Sequence, residues 1–346
     1  MQACAYRIHR LNGKYHQRNQ FKVTSTKNLT TANLALTAGY KLHDYEITKV
    51  LSSGGFSFVY LARDKDKNIV AIKEYLPTSI ATRADSATVL PNADDVALFR
   101  HGLKCFFDEG LALAKIEHKN IVRVLNFFRA NETVYMVMQY ERGKSLQEYI
   151  LSQSEPVSEK FIRRVFSELS NGLREVHTQK LLHLDIKPAN IYIRLDGSPV
   201  LLDFGSSRQA LTENQAKVSP SYTPGFAPPE QYYDRKLLGP WSDIYSIGAT
   251  MYSCLTRTSP LAANQRIKND LLVPAVKIGK DRYSQDLLQT IDKCLSLDYL
   301  KRPQSVFSLQ KSLLENMPKT DKKAGLVHRV MNVLNKSISL NSNKSQ

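Results

Sequence analysis

The chain has 346 residues, 42% of them hydrophobic, with a formal net charge of +16; this length suits one large two-lobed domain with extensions or two average domains. No run approaches the roughly 18 apolar residues of a membrane span, and the basic N-terminus lacks the apolar core of a secretory leader, so a cytoplasmic location is expected. Cys4, Cys105, Cys254 and Cys294 lie far apart with no C-x-x-C pair, which speaks against a disulfide scaffold and against a cysteine-based metal site.

In chain order, residues 1–43 carry seven Lys/Arg and no acidic residue, so residues 1–44 are expected to be a flexible basic extension. Tyr45–Leu51 alternates like a strand, Gly54-Gly55 breaks the pattern and Phe58–Ala62 resumes it, which predicts a hairpin with glycine at its tip. The polar turn Asp64–Asn68 leads into Ile69–Lys73, a third strand ending in a lysine. Thirty-six positions separate Lys73 from Glu109, a long connection expected to fold into short helices around Val96–Lys104. Phe106–Lys115 is apolar at helical spacing and carries Glu109. Ile121–Phe128 and Thr133–Gln139 read as two more strands, giving a five-stranded antiparallel sheet with one helix.

Beyond Tyr140 the pattern turns helical, with helices predicted at Ser158–Thr178, Ser242–Leu255, Asp281–Leu295 and Ser305–Asn316. Ser242–Leu255 is apolar nearly all round, which marks a buried central helix. Leu182–Phe204 is β-rich and loop-like. Residues 318–346 hold six Lys/Arg and one acidic residue. There Leu326, Val327, Val330, Met331 and Leu334 share a helical face ringed by Lys322, Lys323, Arg329 and Lys336, a pattern suited to a membrane surface or a partner's groove. A solvated arm is the plainer alternative for both tails.

Five motifs occur in order: Val70-Ala-Ile-Lys73, Glu109, His183-Leu-Asp-Ile-Lys-Pro-Ala-Asn190, Asp203-Phe-Gly205 and Pro228-Pro-Glu230. Each alone is weak; together, over about residues 45–317, the chain resembles the protein kinase family. The Asp-x-Lys-Pro-x-Asn form is similar to Ser/Thr kinases. Lys73-Glu-Tyr-Leu-Pro77 and Ala227-Pro-Pro-Glu-Gln-Tyr232 look like a bacterial, eukaryotic-like branch. The resemblance implies an α+β, bilobal protein-kinase-like fold: a small antiparallel β-sheet lobe with one main helix (45–138), a hinge (139–141) and a larger, mainly helical lobe (142–317). It implies transfer of the γ-phosphate of ATP to protein Ser/Thr hydroxyls in signal transduction, with autophosphorylation, and Mg²⁺ (or Mn²⁺) as the metal.

Phosphoryl transfer spreads charge over phosphate oxygens, so such a site must hold cations in fixed places. By the resemblance, Lys73 holds the α/β-phosphates and pairs with Glu109. Asp203 and Asn190 supply the hard oxygens that Mg²⁺ prefers. Asp185 orients the substrate hydroxyl and takes its proton, Lys187 neutralises the γ-phosphate, and Thr223 contacts both. Adenine is expected between Val59 and Ala71 above and the hinge Gln139-Tyr140-Glu141, with Met138 as gatekeeper. Glu230 is expected to pair with Arg302, and Asp243 to anchor the catalytic-loop backbone.

The phosphate-cradling loop departs from the family pattern. Ser52, Gly54 and Ser57 stand where three glycines are expected, with Gly55 as an extra; close approach of backbone amides to phosphate favours glycine. This keeps open an alternative, a pseudokinase or scaffold with weakened nucleotide binding. Leu184 stands where many family members have an arginine that binds an activation-loop phosphate. Activity is therefore expected not to require phosphorylation at Ser219 or Ser221. The long segment after Lys73 is expected to restrain the Glu109 helix.

Expected partners are a protein substrate bearing Ser or Thr, a cognate phosphatase or phosphopeptide-binding protein, and the inner face of the membrane through the C-terminal tail. Nucleic acid is not expected, because only tail charge supports it.

Overall fold

The structure is a computed structural model that describes residues 35–83, 87–204 and 222–315. The basic tails, Gly205, Ser219 and Ser221 lie outside the described residues.

The alternating segments pair as expected and extend one strand further. β1 (Lys41–Leu42), β2 (Tyr45–Ser53), β3 (Ser57–Arg63) and β4 (Ile69–Tyr75) run in antiparallel neighbouring pairs. After β4, a small hairpin of β5 (Ala81–Arg83) and β6 (Val89–Pro91) precedes helix α1 (Val96–Leu113). β7 (Val124–Ala130) and β8 (Thr133–Gln139) complete the main sheet in the order β1-β2-β3-β4-β8-β7.

Register decides which side chains share a face. Val59 lies opposite Lys73, and Ala71 opposite both Leu61 and Met138; cross-strand partners and residues two apart lie on one side of a sheet. Val59, Ala71, Lys73 and Met138 therefore share one face. Glu74 lies opposite Phe58 and Tyr135, and Tyr60 opposite Ile72, which puts Glu74, Tyr60 and Tyr135 on the reverse face.

Three sequence expectations are corrected here. The sheet has six strands: β1 forms its edge and Leu36 and Leu42 are buried, so residues 36–44 pack on the lobe and do not form part of a free arm. α1 begins at Val96, ten residues before the expected Phe106, because the stripe of buried Phe99, Leu103, Phe106 and Leu113 already keeps helical spacing. The connection after Lys73 thus holds a hairpin and the first turns of α1. The strand expected from Ile121 starts at Val124, as β7; Ile121 instead makes an isolated parallel bridge to Leu201.

After the hinge, β9 (Gly143–Ser145) leads into α2 (Leu146–Ser152), where Ser145 and Glu148 form a reciprocal cap. Helix α3 (Glu159–Thr178) is capped by Ser158 and precedes β10 (Ile191–Arg194) and β11 (Pro199–Leu201), which pair antiparallel beside β9. Then follow α4 (Pro229–Tyr233), α5 (Pro240–Thr256), α6 (Gln285–Cys294) and α7 (Val306–Glu315). α5 buries Ser242–Leu255 continuously, as its all-round apolarity requires. Arg163 of α3 is buried and donates to Asp286 (2.6 Å) and to the Leu313 carbonyl (2.8 Å), joining α3, α6 and α7.

Two buried charges fix the segment that leads into α5. Arg302 grips Glu230 through two bonds of 2.7 and 3.0 Å, and Ser242 Oγ donates to the same carboxylate at 2.7 Å. Both side chains are buried, so removing one partner leaves a charge without compensation.

Candidate active site

Residues 183–190 form the centre of the site, and Asp243 of α5 holds their backbone. Its carboxylate accepts the N–H groups of His183 (Oδ2, 2.9 Å) and Leu184 (Oδ1, 2.8 Å), and Oδ2 lies 2.8 Å from His177 Nε2. Burial opposes the Asp243 charge, yet these partners together hold its pKa below the usual carboxylate value. Leu184 needs that support, since it adopts φ +60°, a left-handed backbone that costs a non-glycine residue about 1–3 kcal/mol. Gln231 Nε2 adds a third tie, donating to the Leu184 carbonyl at 3.0 Å.

The His183 ring is buried beneath the loop. The Asp185 N–H donates to Nδ1 (3.3 Å), so Nε2 carries the proton and donates to the Leu202 carbonyl at 3.0 Å. Burial pushes the His183 pKa down against the attraction of Asp243, which keeps the ring neutral. Neither His177, Gln231 nor the His183 tautomer was legible in the sequence. Only the His183-to-Asn190 motif pointed to their neighbourhood.

Asp185 is held on both oxygens. Thr223 Oγ1 donates to Oδ1 (2.8 Å), while Oδ2 accepts from Lys187 Nζ (2.8 Å) and Asn190 Nδ2 (3.0 Å). Lys187 also donates to Thr223 Oγ1 at 2.7 Å, closing a ring of three side chains. Asn190 Nδ2 donates as well to the Asp185 carbonyl (2.9 Å), which fixes the amide so that its oxygen is turned to other partners. The Leu202 N–H donates to the Asn190 carbonyl (2.8 Å), and Asp203 follows at φ +56°, a conformation that Asp tolerates.

From the small lobe, Lys73 reaches across to Asp203, with Nζ to Oδ1 at 2.6 Å. The expected pairing with Glu109 is revised accordingly. The ammonium's hydrogen bond goes to Asp203, and Glu109 of α1 acts on it as a nearby charge. Burial disfavours the Lys73 ammonium, but Asp203, Glu109 and Asp185 outweigh it and raise its pKa, so the lysine is charged. Lys73, Asp185, Asn190 and Asp203 thus meet in one place.

The remaining predicted residues lie on the main sheet, in the β2–β3 turn and in the hinge. Val59, Ala71 and Met138 share the Lys73 face of the sheet, as the register requires. At the hinge, the Glu141 carboxylate is gripped by Arg194 of β10 at 2.6 and 2.7 Å, which leaves its backbone to meet a ligand. Ser52 pairs with Val59 one position before the end of the β2–β3 ladder, and the Gly54 N–H donates to the Ser57 carbonyl at 2.9 Å. A Cβ built on Gly55 would meet nothing within 4 Å. No protein neighbour demands glycine there, and the open space suits an incoming ligand.

The donor set fits a nucleotide-borne metal. Among the described residues no cluster of three or more His, Cys, Asp or Glu forms a metal cage. Asp203 and Asn190 instead offer the one or two hard oxygens with which proteins hold Mg²⁺ when phosphates and water complete its shell.

Residues 45–314 match the model of the protein kinase domain family, and the chain belongs to that family. It is similar to serine/threonine-protein kinase D of Synechocystis sp., at 28% identity over 79% of this chain and 52% of that protein. It is also similar to serine/threonine-protein kinase Nek5 of Mus musculus, at 27% identity over 80% of this chain and 41% of that protein. The chain spans about half or less of the length of these curated relatives. The solved structure described as "PpkA-294 apo form" superposes with a TM-score of 0.74 at 34% identity, covering 81% of this chain and 99% of that one.

Proposed function

We propose that this domain is an ATP-dependent Ser/Thr protein kinase. The observation that carries the reading is the ring of Asp185, Lys187 and Thr223 set beside Asn190 and the Lys73–Asp203 pair. A substrate hydroxyl oxygen bonds to the γ-phosphorus, the bond from that phosphorus to the β–γ bridging oxygen breaks, and ADP leaves.

The hydroxyl proton goes to Asp185. Its Oδ2 already accepts two hydrogen bonds and its Oδ1 one, and each carboxylate oxygen has two acceptor sites. Oδ1 is therefore the atom that receives the proton. Lys187 carries the positive charge that meets the transferring phosphoryl group, and Lys73 holds the α/β-phosphates. Asn190 Oδ1 and Asp203 would hold Mg²⁺, which when bound with ATP neutralises phosphate charge. Val59, Ala71 and Met138 form the apolar walls for adenine, Gln139 and Glu141 offer backbone groups to its edge, and Ser52, Gly54, Gly55 and Ser57 cover the phosphates.

The protein substrate presents Ser or Thr, and a cognate phosphatase or phosphopeptide-binding protein is the expected counterpart. No helix among the described residues is long and apolar enough to cross a membrane. A cytoplasmic location, with contact to the inner membrane face through the C-terminal tail, is part of the proposal.

The test is phosphate incorporation from Mg²⁺-ATP, read by mass spectrometry, for the wild type and Lys73→Ala. Phosphoserine or phosphothreonine in the wild type alone supports the kinase. A wild type that binds nucleotide and transfers nothing supports the scaffold alternative that Ser52 and Ser57 raise.

A further inference from the structure

On the reverse face of β4, one residue beyond Lys73, the Glu74 carboxylate is wholly buried. It accepts hydrogen bonds from Tyr60 Oη (2.6 Å), Tyr135 Oη (2.5 Å) and Arg83 Nη2 (2.5 Å). Tyr60 and Tyr135 belong to the main sheet; Arg83 comes from β5 in the hairpin that follows the Lys73 strand. A second tie fastens the same hairpin to the sheet, since the Val89 N–H donates to the Asn131 carbonyl (2.8 Å) and Asn131 Nδ2 donates to Tyr135 Oη (2.9 Å).

The start of this segment runs beside the glycine-bearing tip of the β2–β3 hairpin. The ladder of that hairpin ends at Ser53 opposite Phe58. Past it, the Leu76 N–H donates to the Phe56 carbonyl (3.0 Å) and the Thr78 N–H to the Gly55 carbonyl (2.9 Å). The far end of the segment leads into α1. There the Tyr75 ring packs near Phe99 and Phe106 and fills the space that a Cβ on Gly102 would need, 1.9 Å from the phenol oxygen. One stretch of chain therefore touches the loop tip, the reverse side of the Lys73 strand and the Glu109 helix.

We infer that the Glu74–Arg83 pair is a positioning device for the nucleotide: it locks residues 76–83 and 87–92 against the sheet, and through Leu76 and Thr78 these hold Gly55 and Phe56 over the phosphate site. This inference rests on the proposed function. A hairpin tip with its carbonyls tied on one side is pre-organised to offer its amides on the other, which lowers the ordering cost of binding. Such a restraint compensates for the serines at positions 52 and 57.

The test compares full-length wild type with Arg83→Ala, Arg83→Lys and the charge-free double variant Glu74→Gln/Arg83→Met. The measurements are calorimetric affinity for Mg²⁺-ADP, KM for ATP, kcat, and hydrogen exchange at the Leu76 and Thr78 amides. Expected for Arg83→Ala are faster exchange at both amides and an ADP Kd and ATP KM raised about fivefold or more, with kcat changed less than twofold. Arg83→Lys restores most of the affinity. The double variant removes both charges and so folds even where Arg83→Ala does not; it too is expected to lose affinity. A folded Arg83→Ala or double variant with wild-type Kd and KM overturns the inference, whether or not the amides exchange faster. A wild type that binds ADP without transferring phosphate refutes the kinase reading alone, and the ADP affinities still decide the clamp.

Discussion

Two polar networks flank the strand that carries Lys73, and they are built differently. On the cleft side, Asp185 meets Lys187 two residues on and Asn190 five residues on. On the reverse side, Glu74 gathers Arg83, Tyr60 and Tyr135 from 9, 14 and 61 positions away. In the first network a tight loop sets the spacing of Asp185, Lys187 and Asn190, and Thr223 joins them from 38 positions away. In the second, the sheet register brings Glu74, Tyr60 and Tyr135 to one face, and Arg83 joins them from the β5–β6 hairpin. One short loop therefore supplies most of the ties to Asp185, while every tie to Glu74 comes from another element.

The comparison sharpens against a third buried network, the Glu230–Arg302 pair, where the largest effect is expected. Arg302→Met strands the Glu230 carboxylate among buried groups and is expected to cost about 3–5 kcal/mol of stability, measurable by chemical denaturation. A loss below about 1 kcal/mol would mean that Ser242 and solvent suffice for Glu230.

On the cleft side, Thr223→Val removes the hydroxyl between Asp185 and Lys187 and leaves hydrogen-bonding groups unmatched at about 1–3 kcal/mol. Steady-state kinetics should give a kcat lowered roughly 10–100-fold with ATP KM little changed. The reverse-face variants of Arg83 should do the opposite, raising KM and sparing kcat. The same pattern from both sites would dissolve the distinction between chemistry and frame.

A pH effect is expected at His183. Its folded pKa lies below the ordinary value of 6.5 because it is buried, so the unfolded chain takes up the proton first as pH falls. The stability that neutral His183 contributes is full above about pH 6.5 and declines as pH drops below it. The unfolding midpoint of the wild type should fall more steeply between about pH 7.5 and 5.5 than that of His183→Gln. Parallel slopes would remove His183 from the account.

The smallest effect is expected at the activation loop. Leu184 is buried and has no guanidinium to bind a phosphate, so Ser219→Ala/Ser221→Ala should retain activity toward an exogenous substrate within about twofold. Loss of activity with the fold intact would show that loop phosphorylation is required.

Much of the cleft was legible in the sequence because its residues sit in several short motifs whose order resembles one family pattern. Lys73, Asp185, Lys187, Asn190, Asp203 and Thr223 meet where the motifs implied. The Glu230–Arg302 pair and the Asp243 anchor also form. Other features were hidden for physical reasons. Lys73 bonds to Asp203 and not to Glu109 because which of two nearby carboxylates an ammonium meets depends on lobe geometry. Glu141 turns to Arg194, a partner 53 positions away. Helix was expected around Val96–Lys104 and over Phe106–Lys115 but not as one continuous α1, and the β5–β6 hairpin is too short to show a period. Glu74 was named only within the Lys73–Pro77 motif, beyond the expected strand, since nothing in its neighbourhood signals a buried carboxylate with tyrosine donors.

In the proposed reaction Asp185 takes the proton from a hydroxyl while the surrounding residues hold ATP. Its most direct test is single-turnover phosphate transfer from Mg²⁺-ATP by the wild type and Asp185→Asn, with Mg²⁺-ADP affinity measured on both. The expected result is equal affinity within a few-fold and a transfer rate lowered by about 10²–10⁴ in the variant. Transfer at the wild-type rate by Asp185→Asn would contradict the assignment.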